Sequence, residues 1–98
     1  MKLYDCKILL VDDNRELLAM TGEILKRNGY DDIITAENCK EARKCFEEES
    51  PQLVILDIML PDGDGFTLFR NLRERSQVPI LFLSARDEDN DRLFGLGL

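Results

Sequence analysis

Three short apolar runs, each ended by a polar residue capable of chemistry, constrain this chain more than any other feature. Ile8-Leu9-Leu10-Val11 stops at Asp12-Asp13, Leu53-Val54-Ile55-Leu56 stops at Asp57, and Pro79-Ile80-Leu81-Phe82-Leu83 stops at Ser84-Ala85. Unbroken apolar runs of this length suit strands covered on both faces, and therefore a parallel sheet with helices on either side. A weaker strand is expected over residues 32–35, after the Asn28-Gly29 turn signal. Between the runs the spacing turns helical. Leu17, Thr21, Ile24 and Leu25 share one face of a helix predicted over residues 14–28, with Gly29 placed to end it. Asn38 is a predicted N-cap, followed by Ala42, Cys45 and Phe46 as the buried side of a second helix. A third helix is predicted over residues 65–74, with Phe66, Leu68, Phe69 and Leu72 as its apolar residues. A fourth is predicted from about residue 87, carrying Leu93, Phe94 and Leu96. Strands alternating with helices through right-handed crossovers give an α/β fold, a doubly wound parallel sheet.

The chain has 98 residues, enough for a single domain spanning 1–98 and a modest core. Its net charge of −7 argues against nucleic acid as a direct partner, because phosphate neutralisation needs clustered Lys and Arg. No stretch approaches the ~20 apolar residues of a membrane span. The first residues, MKLYDCKILLVDD, have no cationic start, long apolar run or small-residue cleavage site. Cys6, Cys39 and Cys45 form no CxxC pair and there is no histidine, so a zinc site is not expected. Reduced thiols in a cytoplasmic protein are the expectation, each packed as a small apolar side chain. Without histidine, proton chemistry falls to the carboxylates or is not used.

All strands of a parallel sheet point the same way, so the residues that end the runs meet at one edge, where open α/β sheets bind their ligands. If the strands ending at Asp12-Asp13 and Asp57 are neighbours, three carboxylates converge. Two such charges ~4 Å apart repel by roughly 4 kcal/mol at an effective dielectric of about 20. Either one carboxyl takes a proton or a cation neutralises the cluster. Oxygen ligands without imidazole or paired thiolates favour Mg2+, with Mn2+ as the alternative. A neighbouring ionised Asp can attack phosphorus and form an acyl phosphate, with the cation offsetting charge on the phosphoryl oxygens. Ser84 would donate a hydrogen bond to one of those oxygens, and Ala85 is small enough to leave room.

Taken in order and at their spacings, three segments resemble the receiver domains of bacterial two-component response regulators. They are Ile8-Leu9-Leu10-Val11-Asp12-Asp13-Asn14, Val54-Ile55-Leu56-Asp57-Ile58-Met59-Leu60-Pro61-Asp62-Gly63-Asp64-Gly65, and Pro79-Ile80-Leu81-Phe82-Leu83-Ser84-Ala85. The resemblance implies a flavodoxin-like sandwich with strand order 2-1-3-4, lacking the family's fifth strand and fifth helix. It implies Asp57 as phosphoacceptor and Asp12 and Asp13 as holders of Mg2+, Asp13 the more direct ligand. The Met59 backbone carbonyl would complete the protein's share of the metal site, and Ser84 would be the switch hydroxyl. Pro61 and Gly65 would shape the loop after the third strand. A sensor histidine kinase, a phosphotransfer protein or a small phosphodonor would supply the phosphoryl group. A homodimer is left open.

The family's fifth-strand Lys and aromatic switch residue have no counterpart before the sequence stops at Gly95-Leu96-Gly97-Leu98. The expectation is a fragment truncated at its C-terminus, whose fourth strand becomes an exposed sheet edge. Blander roles compete for several residues. Asp12-Asp13 would serve as a strand-end turn and Ser84 as a cap. Asp62 and Asp64 are expected to serve the turn around Gly63, and Glu47-Glu48-Glu49 to be a solvated helix end. A phosphatase using an Asp nucleophile is a rival, but it would place nucleophile and acid two residues apart on the first strand. A nucleotide- or flavin-binding sandwich wants a Gly-rich loop where Asp12-Asp13-Asn14 stands. An interaction module keeping the fold alone would bind no cation at Asp57.

Overall fold

The β-strands form where the apolar runs lie, as β1 (Lys7–Val11), β2 (Asp32–Ala36) and β3 (Leu53–Asp57). A small hairpin of β4 (Met59–Leu60) and β5 (Gly63–Asp64) follows, then β6 (Ile80–Leu83) and β7 (Leu93–Leu96). Three helices are interleaved: α1 (Arg15–Arg27), α2 (Cys39–Glu49) and α3 (Gly65–Arg73). The computed structural model describes residues 6–83 and the backbone of 93–96.

The main sheet runs β2-β1-β3-β6-β7, and its first four strands are parallel. This is the expected 2-1-3-4 order, with β6 as the fourth long strand. Alternation along each strand sends side chains to opposite faces. Leu9, Val11, Val54, Leu56, Ile80 and Phe82 meet α2 and α3 through Ala42, Phe46, Leu68 and Leu72. Ile8, Leu10 and Ile55 meet Leu18 of α1 on the other face.

The helices begin and end where local chemistry supplies their unpaired backbone groups. Asn14 caps α1, its side-chain oxygen accepting from the N–H groups of Glu16 (2.9 Å) and Leu17 (3.2 Å). Gly29, at φ 97°, reverses the chain after α1, and Tyr30 N–H then donates to the Leu25 carbonyl at 3.0 Å. Asn38 caps α2 by accepting from Glu41 N–H at 2.8 Å.

Two expectations are corrected. The buried stripe of α1 is Leu18 and Gly22, with Leu25 packed against the core, whereas Ile24 is 53% exposed. At ~3.6 residues per turn, Ile24 lies about 120° around the helix from Leu18 and so faces outward. Residues 93–96, expected in a fourth helix, form a strand instead. It pairs antiparallel with β6, Leu81 opposite Leu96 and Leu83 opposite Leu93, with a register shift between Phe82 and Leu83. The outer edge of β6 is therefore covered rather than exposed, and the sheet has a fifth strand, though an antiparallel one. An open edge of unpaired N–H and C=O groups favours whatever extended segment can reach it, which outweighs the helical spacing of Leu93, Phe94 and Leu96. The other residues of the expected fourth helix, 87–92, lie outside the described residues.

Candidate metal and phosphoacceptor site

Strand register brings the acids together. Val11 pairs with Leu56, so the next residue on each strand, Asp12 and Asp57, sits at the same level on adjacent strands. Both continue the parity of Ile8, Leu10 and Ile55, and so share the α1 face. Asp12 N–H extends the ladder toward β2 by donating to the Ala36 carbonyl at 3.1 Å. Asp13 follows at the entry to α1. Asp12, Asp13 and Asp57 each offer a carboxylate oxygen within 4.8 Å of the others.

Asp12 and Asp57 are buried, at 6% and 5% exposure, while Asp13 is open to solvent. An Asp12 oxygen accepts from Asn14 N–H at 2.9 Å, and an Asp57 oxygen accepts from Ile58 N–H at 2.8 Å. Burial pushes the Asp12 carboxyl up from 3.8 to about 6, a rise opposed by the Asn14 N–H and reinforced by the charges of Asp57 and Asp13. At 4.8 Å and an effective dielectric of about 20, one like-charged pair costs about 3.5 kcal/mol. A cluster of this kind has a strong reason to take up a cation. Its donor set is all carboxylate oxygen with no histidine in the chain, which fits a hard divalent ion such as Mg2+.

The acids open into a cleft also bordered by Asn14, Leu17 and the Met59–Pro61 segment. That segment belongs to the β4–β5 hairpin, in which Met59 pairs with Asp64 and Leu60 with Gly63 across a Pro61-Asp62 turn. Pro61 presets φ at the first corner of the turn. Behind the hairpin, Gly65 N–H donates to the Ile58 carbonyl at 2.6 Å. A Cβ on Gly65 would overlap the Asp57 carbonyl oxygen and come within 2.8 Å of Leu56 Cδ1 and 2.9 Å of Ile58 Cα. Glycine at 65 is thus set by the close approach of backbone to the Asp57 turn, which gives the expected loop-shaping role its physical content.

Met59 lies in the cleft wall. Ser84, the remaining candidate, lies outside the described residues. Sequence reasoning assigned Asp62 and Asp64 to a local turn, and here it fell short. Asp64 caps α3, accepting from Thr67 N–H at 2.8 Å and from Thr67 Oγ1 at 3.2 Å. An Asp one residue before a helical apolar pattern is an N-cap signal that could have shown this. Asp62 reaches 23 residues back to α2, accepting from Cys39 N–H at 2.7 Å and Lys40 N–H at 3.1 Å, and nothing in the local sequence announces that. All three cysteines are free, Cys39 buried and the others half-buried, as expected. Among the described residues no helix is long and apolar enough to cross a membrane.

Comparison with known proteins agrees with this geometry. The chain is 44% identical over 93 residues to the alkaline phosphatase synthesis transcriptional regulatory protein PhoP of Bacillus subtilis, covering 94% of this chain and 38% of that one. It is 42% identical over 92 residues to the transcriptional regulatory protein CpxR homolog of Haemophilus influenzae, covering 94% and 40%. The chain thus spans about two fifths of the length of these curated relatives. Among solved structures, a two-component response regulator from Clostridium difficile superposes with a TM-score of 0.80 at 32% identity, covering 87% of this chain and 69% of that one. The BeF3-activated receiver domain of Klebsiella pneumoniae RstA gives 0.77 at 37% identity, covering 85% and 70%. The sequence also matches the response regulator receiver domain over residues 8–98. A parallel sheet of the expected order, three acids gathered at its edge and these matches together place the chain in the response regulator receiver domain family.

Proposed function

We propose that this receiver domain accepts a phosphoryl group on Asp57 from a sensor histidine kinase, a phosphotransfer protein or a small phosphodonor, with Mg2+ as cofactor and Mn2+ as a substitute. The observation that carries the reading is the buried Asp57 carboxylate at the tip of a central strand, within 4.8 Å of Asp12 and Asp13. Asp12, Asp13, Asp57 and the Met59 backbone carbonyl would hold the ion. When bound, Mg2+ would offset the charge of the carboxylates and of the phosphoryl oxygens.

The chain's own residues do the rest. An Asp57 carboxylate oxygen attacks phosphorus, the bond from phosphorus to the donor nitrogen or oxygen breaks, and an acyl phosphate is left on Asp57. The Ile58 N–H, already bonded to one Asp57 oxygen, orients the carboxylate for that attack. Ser84 is assigned the hydroxyl that hydrogen-bonds the transferred group, and its response to that group is the switch. The chain acts as a self-modifying signalling element more than as a turnover enzyme.

The test is incubation with acetyl phosphate and Mg2+ followed by intact-protein mass spectrometry. One phosphoryl group should be added to the wild-type chain, and none to Asp57→Asn or in the presence of a chelator. Equal labelling of Asp57→Asn, or repeated turnover of a phosphate ester, would overturn the assignment.

A further inference from the structure

We propose that Asp62 is a positioning residue for the cation site, tying the loop that carries Met59 to the N-terminus of α2. The inference rests on the functional reading above, in which the Met59 carbonyl completes the protein's ligand set.

The β4–β5 hairpin has only two residue pairs, too few to hold a shape unaided. Its last residue, Asp64, is fixed by capping α3. Its tip is fixed by Asp62, whose two carboxylate oxygens divide between Cys39 N–H (2.7 Å) and Lys40 N–H (3.1 Å). Those two N–H groups are first-turn donors of α2 with no partner inside the helix. The helix's own cap, Asn38, serves a different donor, Glu41 N–H. The start of α2 is therefore shared between a local cap and a carboxylate from the metal-site loop.

Two further observations bear on the link. A Cβ at Gly63 would stand 3.1 Å from Cys39 Sγ, so the hairpin tip already lies against the first residue of α2. The Asp62 carboxyl is held below its ordinary range, chiefly by the Cys39 N–H. Charged acceptors make the stronger and shorter hydrogen bonds, and helix N-termini favour them. Met59 lines the cleft beside Asp12, Asp13 and Asp57, three residues before Asp62 in the same short loop. Releasing the tip enlarges the set of loop conformations, and a cation then binds only the fraction that keeps Met59 in place. Apparent affinity falls in proportion to that fraction.

The experiment is a Mg2+ titration of the whole chain followed by amide NMR shifts, with acetyl phosphate labelling rates measured alongside. Asp62→Ala should weaken Mg2+ binding roughly 3- to 10-fold. At saturating Mg2+ its labelling rate should return to within about two-fold of wild type, because Asp57 and its neighbours are unchanged. Asp62→Asn, which keeps an oxygen acceptor for one of the two N–H groups, should fall between wild type and Asp62→Ala. It carries the test alone if the alanine variant does not fold. Asn38→Ala damages the same helix end without touching the loop, and should leave Mg2+ affinity within about two-fold of wild type. Unchanged affinity in the Asp62 variants, or an equal loss in Asn38→Ala, would overturn the positioning role while leaving the receiver reading intact. A wild-type chain that binds no Mg2+ would instead overturn the receiver reading and this inference with it.

Discussion

Gly65→Ala tests the close approach behind the phosphoacceptor strand. The added methyl would overlap the Asp57 carbonyl oxygen and sit 2.8 Å from Leu56 Cδ1 and 2.9 Å from Ile58 Cα, against an ordinary contact of 3.4–4 Å. The leucine methyl can swing aside. The other two atoms are backbone, and one belongs to the residue whose carboxylate faces the cleft. Overpacking of this kind costs about 1–3 kcal/mol, and rigid neighbours put this case at the upper end. Separating Gly65 from Ile58 also weakens the 2.6 Å hydrogen bond between them, worth about 1 kcal/mol. The higher helix propensity of alanine returns at most about 1 kcal/mol at the first position of α3. The net loss is about 3 kcal/mol, which for a domain of this size lowers Tm by about 12–24 °C. Thermal unfolding followed by far-UV circular dichroism measures it. A Tm within about 3 °C of wild type would refute the reasoning, because the loop would then have room that its geometry denies it.

Gly22→Ala is the converse case. Gly22 is buried in mid-helix, and a Cβ there would meet nothing within 4 Å, so alanine should add about 0.5–1 kcal/mol and raise Tm by a few degrees in the same assay. A lower Tm would contradict it. Asp12 should make the metal-free protein pH-sensitive. Its folded carboxyl is raised from 3.8 to about 6, so the native state binds the proton more tightly than the unfolded chain. This group therefore adds stability at low pH, and that contribution is lost as pH rises from about 4 through about 6. Urea midpoints without divalent ions should show the decline, and Asp12→Asn should remove it, since a carboxamide oxygen can still accept from Asn14 N–H. The same variant should lose Mg2+ binding at neutral pH, separating what favours the fold from what serves the site.

Much of this was legible in the sequence because the residues that decide it act locally. The runs ending at Val11, Leu56 and Leu83 form the strands they suggested, since an unbroken apolar stretch of that length has few other ways to be covered. Asn14 and Asn38 mark the helix starts through side-chain geometry that needs only the next few residues. The gathering of Asp12, Asp13 and Asp57 followed from parallel register. What was illegible depends on partners distant in sequence. Ile24 matched the helical spacing but not the sheet face that Leu18 selects. The link from Asp62 to Cys39 and Lys40 spans two crossover units. Residues 93–96 have helical spacing, yet they pair with β6, where a neighbouring strand offers hydrogen bonds that local propensity cannot weigh.

The two faces of the sheet are unequally padded among the described residues, and this bears on how the acidic cluster comes apart. The α2 and α3 side interlocks many fully covered side chains, whereas α1 rests chiefly on Leu18, with half-covered neighbours such as Leu25 and Tyr30. Opening costs least where the fewest apolar contacts are broken, so among the described helices α1 is the one expected to lift off first. Asp13 stands at its threshold, followed by the capping Asn14. A brief detachment of this one helix would carry a third of the negative charge away from the strand tips while β1 and β3 stay zipped together. An ion held by Asp12, Asp13 and Asp57 would then act as a latch on α1, holding shut the weaker seam of the sandwich.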